Sequence, residues 1–186
     1  MPTDVALLAP TGPPALQALM EALGLKALDR AGWVHRGLAH PESVAAHSWG
    51  VAWLVLALAP PELDLGRALA YAVLHDLPEV RVGDIVPRDA VAPNDKLARE
   101  RAALAGLLAS LPTGPALTAR WEAYEAQADP EARFVRQLDR LDMALQAARY
   151  AAERGLDPRE FWASAAAVID DPRLTALLEA LGAPGA

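Results

Sequence analysis

The stretch from His75 to Asp84 is the densest group of side chains that could do chemistry. His75 and Asp76 are adjacent, Glu79 follows, and Asp84 comes directly after Gly83. The histidine–aspartate pair ends an apolar run, residues 68–73, that is typical of a buried helix. Burying polar groups without partners is costly, whereas neutral imidazole and carboxylate are common ligands of divalent cations. The stretch therefore indicates a metal site.

Two further candidate ligands lie elsewhere in the chain. His47 is on the inward face of a helix predicted from Ser43 to about Leu58, because the apolar positions around it recur at helical spacing. Asp139 lies beside the apolar face of a helix predicted over residues 130–154. Side chains on different helices of a bundle can converge on one interior point. The sequence therefore predicts that these two residues join His75 and Asp76.

Each candidate also has a simpler interpretation. His47 alone could be a hydrogen-bonded core histidine, and Asp139 could form a salt bridge with Arg136 or Arg140. The His75–Asp76 pair could be no more than the polar end of a helix. The metal interpretation is favoured because all three simpler readings would have to hold together.

Glu79 and Asp84 add to the candidate site. On a continued helical turn Glu79 would share a face with His75 and Asp76, unless Pro78 distorts that turn. Asp84 follows a glycine, which permits a sharp turn or a close backbone approach. The alternative for both acids is a solvated acidic loop.

The elements that must position these residues are predicted to be helices. Proline and glycine mark their ends, and no segment shows the alternation of a strand. We therefore predict an all-α chain forming a single domain over 1–186, with its core at roughly 15–180. The predicted helices cover 13–28, 43–58, 63–76, 95–111, 116–128 and 130–154, with one or two short helices in 158–181; residues 29–37 and 80–94 are predicted loops.

Composition limits the classes of function. The 186 residues include no cysteine, which excludes disulfides, thiolate catalysis and cysteine zinc sites. A net charge of -7 argues against binding to a nucleic acid polymer. The longest apolar run, residues 51–61, is too short to span a bilayer, and the N-terminal residues lack the basic character of a secretory signal. We expect a cytoplasmic protein that acts on a small molecule, with no membrane partner.

The order of His47, His75–Asp76 and Asp139 resembles the H…HD…D signature of HD-domain metal-dependent phosphohydrolases. The local sequences resemble the narrower YfbR-type 5′-deoxynucleotidase branch, at residues 32–37, 41–48, 75–87 and 134–143. The pattern HD-x-x-E-x-x-x-x-D is far more specific than the dipeptide alone. The resemblance implies an HD-domain helical bundle that hydrolyses deoxyribonucleoside 5′-monophosphates to deoxynucleoside and phosphate with metal-activated water. The alternatives are another HD-type nucleotide phosphohydrolase or phosphodiesterase, and a non-catalytic metal-binding helical module.

The resemblance further implies one divalent cation, held by His47, His75, Asp76 and Asp139. Four protein ligands leave open positions on a six-coordinate ion, which favours Co²⁺ or Mn²⁺; Mg²⁺, Zn²⁺, Ni²⁺ and Fe²⁺ are the other candidates. In the family the carboxylates that match Glu79 and Asp84 serve catalysis. We assign Glu79 to proton transfer to the leaving sugar oxygen and Asp84 to orienting the water, although the two roles could be exchanged.

Substrate contacts and assembly are also implied by the resemblance. Trp33 matches a tryptophan near the substrate sugar, but Gly32 stands where one subgroup has an arginine. Arg36 is the first candidate to supply that cation, and Arg30 is the second. Lys96 is a further candidate for the phosphate charge, with a solvated helix face as its alternative.

The family implies a homodimer. The helix that contains Trp49 and Trp53 is compatible with such an interface, but a buried core explains these two tryptophans equally well.

Overall fold

The computed structural model describes residues 12–182, and these residues form helices joined by short turns. The only extended pairing in this range is an isolated bridge between Asp29 and Ser43. The prediction of an all-α chain is confirmed. The α-helices are α1 (Pro14–Ala22), α2 (Ala31–Val34), α3 (Val44–Leu58), α4 (Leu65–Leu74), α5 (Glu79–Val82), α6 (Pro93–Leu108), α7 (Gly114–Glu125), α8 (Pro130–Arg154), α9 (Arg159–Ala166) and α10 (Pro172–Ala180), with 3₁₀ turns at Leu23–Lys26 and Pro87–Asp89.

The bounds of α8 agree with the sequence because both of its ends carry strong local signals. The Asp129 side chain accepts a hydrogen bond from the amide of Ala132, and Pro130 occupies the first turn. Gly155 ends the helix in the left-handed conformation, with φ of 71°. Helix termination therefore follows from the residues themselves.

Two predicted loops each contain a one-turn helix. Helix α2 lies within 29–37, and α5 begins at Glu79, where 80–94 was expected to be a loop. Both predictions were wrong because a single turn is too short to display an apolar period. Pro78 does not prevent α5 from forming, since the carbonyl of Pro78 accepts a hydrogen bond from the amide of Arg81 at 3.0 Å.

The described residues fall into two compact units. The first unit comprises the residues up to Ala45 together with Asp76–Arg120, and the second comprises Ala46–His75 together with the residues from Trp121 onward. The division falls at the peptide bond between His75 and Asp76. A single domain over 1–186 stays a prediction.

The second unit is built around α8. This helix packs against α4, α9 and α10, and the predicted apolar face of Phe134, Leu138 and Leu141 is buried in the core. Val51 and Val55 of α3 join the same core without any exposure. Burial of this aliphatic surface is the main source of stability for such a unit.

Polar contacts hold α4 at both ends within the second unit. At its start, the amide of Asp64 donates to Glu131 Oε1 at 2.9 Å. Midway, the hydroxyl of Tyr71 donates to Asp129 Oδ2 at 2.6 Å. After its last residue, the indole N–H of Trp121 donates to the carbonyl of His75 at 3.1 Å. The position of His75 is therefore fixed by buried contacts as well as by its own helix.

Helix α5 of the first unit lies close to its neighbours. Arg81 donates to both carboxylate oxygens of Glu21, at 2.6 and 2.8 Å, and to the carbonyl of Ala103 at 3.3 Å. A side chain at Gly106 would meet Arg81 Nη1 at 2.6 Å, and one at Gly24 would meet Val80 Cγ2 at 2.9 Å. Two glycines thus permit the close seating of the turn that begins with Glu79.

No helix in the described part of the chain combines the length and the apolar character needed to cross a membrane.

The Tyr71→Phe variant tests the connection between α4 and α8. We expect the free energy of unfolding to fall by about 1.5–3 kcal/mol, because the hydroxyl donates to a charged carboxylate. The pKa of Asp129 lies below its usual value: burial acts to raise it, but the hydrogen bonds from Tyr71, Ala132 and Arg67 outweigh burial. This contribution is present above pH 3.8 and is lost as the pH falls. Urea unfolding measured from pH 7 to pH 3 should show the two proteins converging.

Tyr150→Phe is the control, since it removes a hydroxyl from a different buried tyrosine, which lies on α8. It should leave the titration of Asp129, followed by carboxyl NMR, unchanged. An unaltered Asp129 titration in Tyr71→Phe would contradict the assigned contact.

Candidate metal centre and acidic cluster

Three predicted ligands converge in the second unit. His47 comes from α3, His75 follows the last residue of α4, and Asp139 comes from α8. Their ligand atoms lie within 4.8 Å of one another. The two imidazole Nε2 atoms are 3.3 Å apart, and Asp139 Oδ1 is 3.1 Å from Nε2 of His47. Both histidines are buried, His47 completely.

The hydrogen bonds of the two rings bear on which nitrogen carries the proton. His75 Nδ1 lies 3.0 Å from the carbonyl of Ala72, and His47 Nδ1 lies 2.7 Å from Asp142 Oδ2. A carbonyl can only accept, so Nδ1 of His75 is the donor in a neutral ring, and its Nε2 carries the lone pair that a metal-binding histidine requires. His47 has a carboxylate at each ring nitrogen, and its Nε2 can bind a metal when the proton lies on Nδ1.

This donor set fits a divalent cation. Two ring nitrogens and a carboxylate oxygen meet in one buried space, and with both ring protons on Nδ1 these groups repel one another unless a positive charge lies between them. Burial acts to raise the pKa of Asp139, yet its contact with Nε2 of His47 and the charge of Arg140 hold that pKa well below the usual range. The Asp139 carboxyl is thus ionised at neutral pH, as a carboxylate ligand must be. Nitrogen and oxygen donors of this kind suit first-row divalent metals.

Asp76 belongs to the first unit, where it pairs with a cation. Its Oδ2 is 3.3 Å from Nη1 of Arg30, and the same nitrogen is 3.7 Å from Asp84 Oδ2. Asp84 Oδ2 also accepts a hydrogen bond from the amide of Ala31 at 2.8 Å. Gly83 adopts φ of 80°, the conformation that brings Asp84 back toward this segment. The predicted sharp turn at Gly83 is therefore present.

Glu79 is the most perturbed carboxyl in the first unit. It is 3% exposed, and its Oε2 is buried with no hydrogen-bond partner among residues 12–182. Burial first, and then the charges of Asp76 and Asp84, raise the pKa of Glu79 to about 10, although Arg30 and Lys96 oppose the shift. Glu79 therefore holds a proton at neutral pH.

Lys96 is the second cation of this cluster. Its Nζ donates to the carbonyl of Ile85 at 3.0 Å and lies 3.5 Å from Glu100 Oε1. Burial acts to lower its pKa, but Glu100, Glu79 and the two aspartates outweigh burial and raise it. A lysine held in this way is not only part of a solvated face.

The acidic cluster contains more carboxyl groups than cations. Asp76, Glu79 and Asp84 interact with Arg30 and Lys96, and Lys96 also contacts Glu100. Because burial disfavours the charged form of a carboxyl group, the buried Glu79 is the member of the cluster that favours the protonated form.

The predicted substrate residues differ from one another in how exposed they are. Trp33 is 2% exposed, and its indole N–H donates to Glu42 Oε1 at 2.9 Å, so it also serves as a core residue of the first unit. Arg36 is exposed. Of the two arginines considered, Arg30 is the one that lies among the site carboxylates. The substrate roles of Trp33, Arg36 and Lys96 stay predictions.

Sequence reasoning gave no role to two residues that the structure places at the site. Asp142 contacts Nδ1 of His47, and Glu42 accepts a hydrogen bond from the indole N–H of Trp33. Asp142 lies three residues after Asp139 on α8, and this spacing put both on one edge of the helix. That spacing was a usable signal, whereas nothing local marked Glu42.

The chain resembles known proteins over most of its length. The 5′-deoxynucleotidase HDDC2 of Danio rerio is 35% identical over 161 residues, which cover 84% of this chain and 80% of that protein. The human 5′-deoxynucleotidase HDDC2 is 35% identical over 172 residues, covering 90% of this chain and 84% of that protein. Both relatives are thus matched over most of their own length.

Solved structures agree with this relationship. A conserved hypothetical protein from Pyrococcus furiosus has a TM-score of 0.77 at 30% identity, covering 89% of this chain and 98% of that one. A predicted metal-dependent phosphohydrolase from Magnetospirillum magnetotacticum has a TM-score of 0.70 at 28% identity, covering 90% and 91%. Residues 23–180 match the sequence profile of the HD domain. The chain therefore belongs to the HD domain family.

Proposed function

We propose that this protein is a divalent-metal-dependent 5′-deoxynucleotidase, which hydrolyses deoxyribonucleoside 5′-monophosphates to deoxynucleoside and phosphate. The observation that carries the proposal is the convergence of His47, His75 and Asp139, whose ligand atoms lie within 4.8 Å of one another. The relatives named 5′-deoxynucleotidase, matched at about 35% identity, supply the substrate class.

His47, His75 and Asp139 would hold the cation, with Asp76, the residue joined to His75, as the fourth ligand that the family resemblance predicts. When bound, the cation polarises the phosphoryl group and lowers the pKa of a water molecule from about 15.7 toward 7. Co²⁺ or Mn²⁺ remains our proposal, since both accept mixed nitrogen and oxygen ligands.

Glu79 acts as the general acid. It holds a proton at neutral pH because burial and two neighbouring carboxylates disfavour its charge, and a proton must reach the leaving sugar oxygen when the P–O bond breaks. Asp84, whose side chain is largely buried, orients the attacking water. The protonated state of Glu79 favours this assignment over the exchanged one.

Cations of the first unit neutralise the phosphate charge of the substrate. Arg30 and Lys96 lie close enough to the acidic cluster to affect the pKa of Glu79, and Arg36 is an exposed cation two residues after the end of α2. Trp33 is proposed to face the deoxyribose. Since the whole chain carries a charge of -7, such local cations are what allow an anionic nucleotide to approach.

Phosphate release from a panel of nucleotides with added Co²⁺, Mn²⁺ or Mg²⁺ tests the function. We expect deoxyribonucleoside 5′-monophosphates to be hydrolysed, and ribonucleotides, cyclic nucleotides and triphosphates to be poor substrates. Asp139→Asn should lose bound metal, measured by elemental analysis, and lose activity on the order of 100-fold or more. The control is Asp170→Asn, which removes an exposed acid of the same unit.

Preferred cleavage of a triphosphate or a cyclic nucleotide would instead indicate another HD-type phosphohydrolase or phosphodiesterase. Metal binding without any hydrolysis would indicate a non-catalytic module.

Glu79→Gln tests the general acid. The variant should keep its metal but lose about 10²–10⁴-fold in turnover, the usual contribution of acid catalysis. In the wild type, activity should fall as alkaline pH deprotonates Glu79, whose pKa is raised to about 10. A cation bound to Asp76 would reduce the repulsion that raises the pKa of Glu79. The activity of the metal-loaded enzyme should therefore begin to fall at a lower pH than the pH at which carboxyl NMR shows Glu79 titrating in the metal-free protein. Glu79→Gln should lack that alkaline loss.

The general-acid role of Glu79 would be contradicted if its carboxyl titrated near the ordinary pKa of glutamate in the metal-free protein. It would also be contradicted if Glu79→Gln had wild-type turnover.

We further propose that the protein is a homodimer joined through the outer face of α3. Trp49 is 70% exposed, Trp53 is 55% exposed and Leu56 is 57% exposed, at spacings that place all three on one stripe of the helix. The alternative that the tryptophans belong to a buried core is therefore wrong. A buried aromatic side chain covers about 150–250 Å², so the two tryptophans would provide roughly half of the ~800 Å² that each partner of a stable interface contributes.

Light scattering of Trp49→Glu/Trp53→Glu tests the dimer. The wild type should have the mass of two 19.7 kDa chains, and the variant the mass of one, because buried charges in an apolar interface are strongly disfavoured. Leu177→Glu, an exposed leucine of α10, should remain dimeric. A monomeric wild type at micromolar concentration would contradict the proposal.

A cytoplasmic location and a single domain over 1–186 complete the proposal on sequence grounds alone.

A further inference from the structure

We infer that Gly50 and Asp142 form a positioning pair that orients the imidazole of His47. Gly50 leaves room for the Asp142 carboxylate against α3, and that carboxylate keeps the ring proton on Nδ1. The inference rests on the proposed metal role of His47, but it concerns a pairing that exists in the metal-free protein.

Asp142 and Asp139 contact opposite nitrogens of the same ring. Asp142 Oδ2 is 2.7 Å from Nδ1 of His47, and Asp139 Oδ1 is 3.1 Å from Nε2. The shorter contact is in the range of a charge-assisted hydrogen bond. Asp142 is mostly buried, which strengthens the bond by excluding water.

The two carboxylates compete for one proton of a neutral ring. If the proton lay on Nε2, His47 would donate to Asp139, and neither atom could bind a metal through that contact. A proton on Nδ1 leaves Nε2 as an acceptor beside Nε2 of His75. The contact with Asp142 therefore determines whether the cluster is a ligand set or an internal hydrogen bond.

Gly50 makes this contact sterically permissible. It lies on α3 three residues after His47, so it shares the inward face of the helix. A Cβ at this position would collide with Asp142 Oδ1 and would lie 2.9 Å from its Cγ. The aspartate side chain is too short to swing aside and still reach His47. A glycine within a helix is otherwise disfavoured relative to alanine. Here the Asp142 carboxylate occupies the space that a side chain at position 50 would fill.

His75 shows why His47 needs such a pair. The Nδ1 of His75 donates to the carbonyl of Ala72 in its own helix, an acceptor that no side-chain substitution removes. The orientation of His47 depends on a side chain from another helix, so it is the ligand that substitutions at a distance can disturb.

Nitrogen NMR of the metal-free, ¹⁵N-histidine-labelled protein tests the pair directly, since the chain has only four histidines. In the wild type His47 should be the Nδ1–H tautomer. Asp142→Leu and Gly50→Ala should each shift it toward Nε2–H and lower the affinity for Mn²⁺, measured by calorimetry, about 10–100-fold. Asp142→Asn keeps an acceptor oxygen and should retain more of both properties.

The matched control is Gly66→Ala, an exposed helical glycine of α4 whose added Cβ would approach only Asp64 Oδ1, at 3.3 Å. It should change neither the tautomer nor the affinity. In a double-mutant cycle, Gly50→Ala should add nothing once Asp142→Ala is present, because the methyl group then fills the vacated space.

An Nδ1–H tautomer in folded Asp142→Leu, additive effects in the cycle, or an unfolded Asp142→Asn would overturn the inference. If the tautomer responds as expected but no metal binds, the pairing stands and the proposed function fails. If metal binds equally well to all the variants, the proposed function stands and the pairing has no positioning role.

Discussion

The central constraint in this protein is the close approach of two imidazole Nε2 atoms and an Asp139 oxygen inside the second unit. Nδ1 of His75 donates to a carbonyl, and Nδ1 of His47 faces the Asp142 carboxylate. In a buried space three such atoms lie together favourably only when a proton or a cation is among them. The unit's other polar contacts hold the helices that supply these atoms.

Helix α8 dominates that arrangement. It provides Asp139 as a candidate ligand, Asp142 as the partner of His47 Nδ1, and Asp129 and Glu131 as acceptors for α4. The same helix carries the apolar face around which α4, α9 and α10 pack. One amphipathic helix thus couples the stability of the unit to the geometry of its candidate metal ligands.

In the first unit, burial favours the protonated form of one carboxyl group, that of Glu79. Glu79 is fixed on a one-turn helix that two glycines and Arg81 seat closely. Keeping this carboxyl among Asp76 and Asp84 costs stability whenever it ionises, since repulsion and lost solvation both oppose the charge. Such strain on one group is common where a residue must act as an acid near neutral pH.

The sequence by itself determined the all-α class and the bounds of α8, and it predicted the ligands His47, His75, Asp76 and Asp139, because apolar periodicity, helix caps and motif spacing are local properties. It also determined the family, through motifs in a fixed order. It did not reveal α2 or α5, which are too short to show a period. Only the tertiary structure decided that Arg30 pairs with Asp76 and that Asp142 reaches His47 past Gly50. These pairings join residues 46 and 95 positions apart, and contacts at such separations depend on how helices pack rather than on any local pattern.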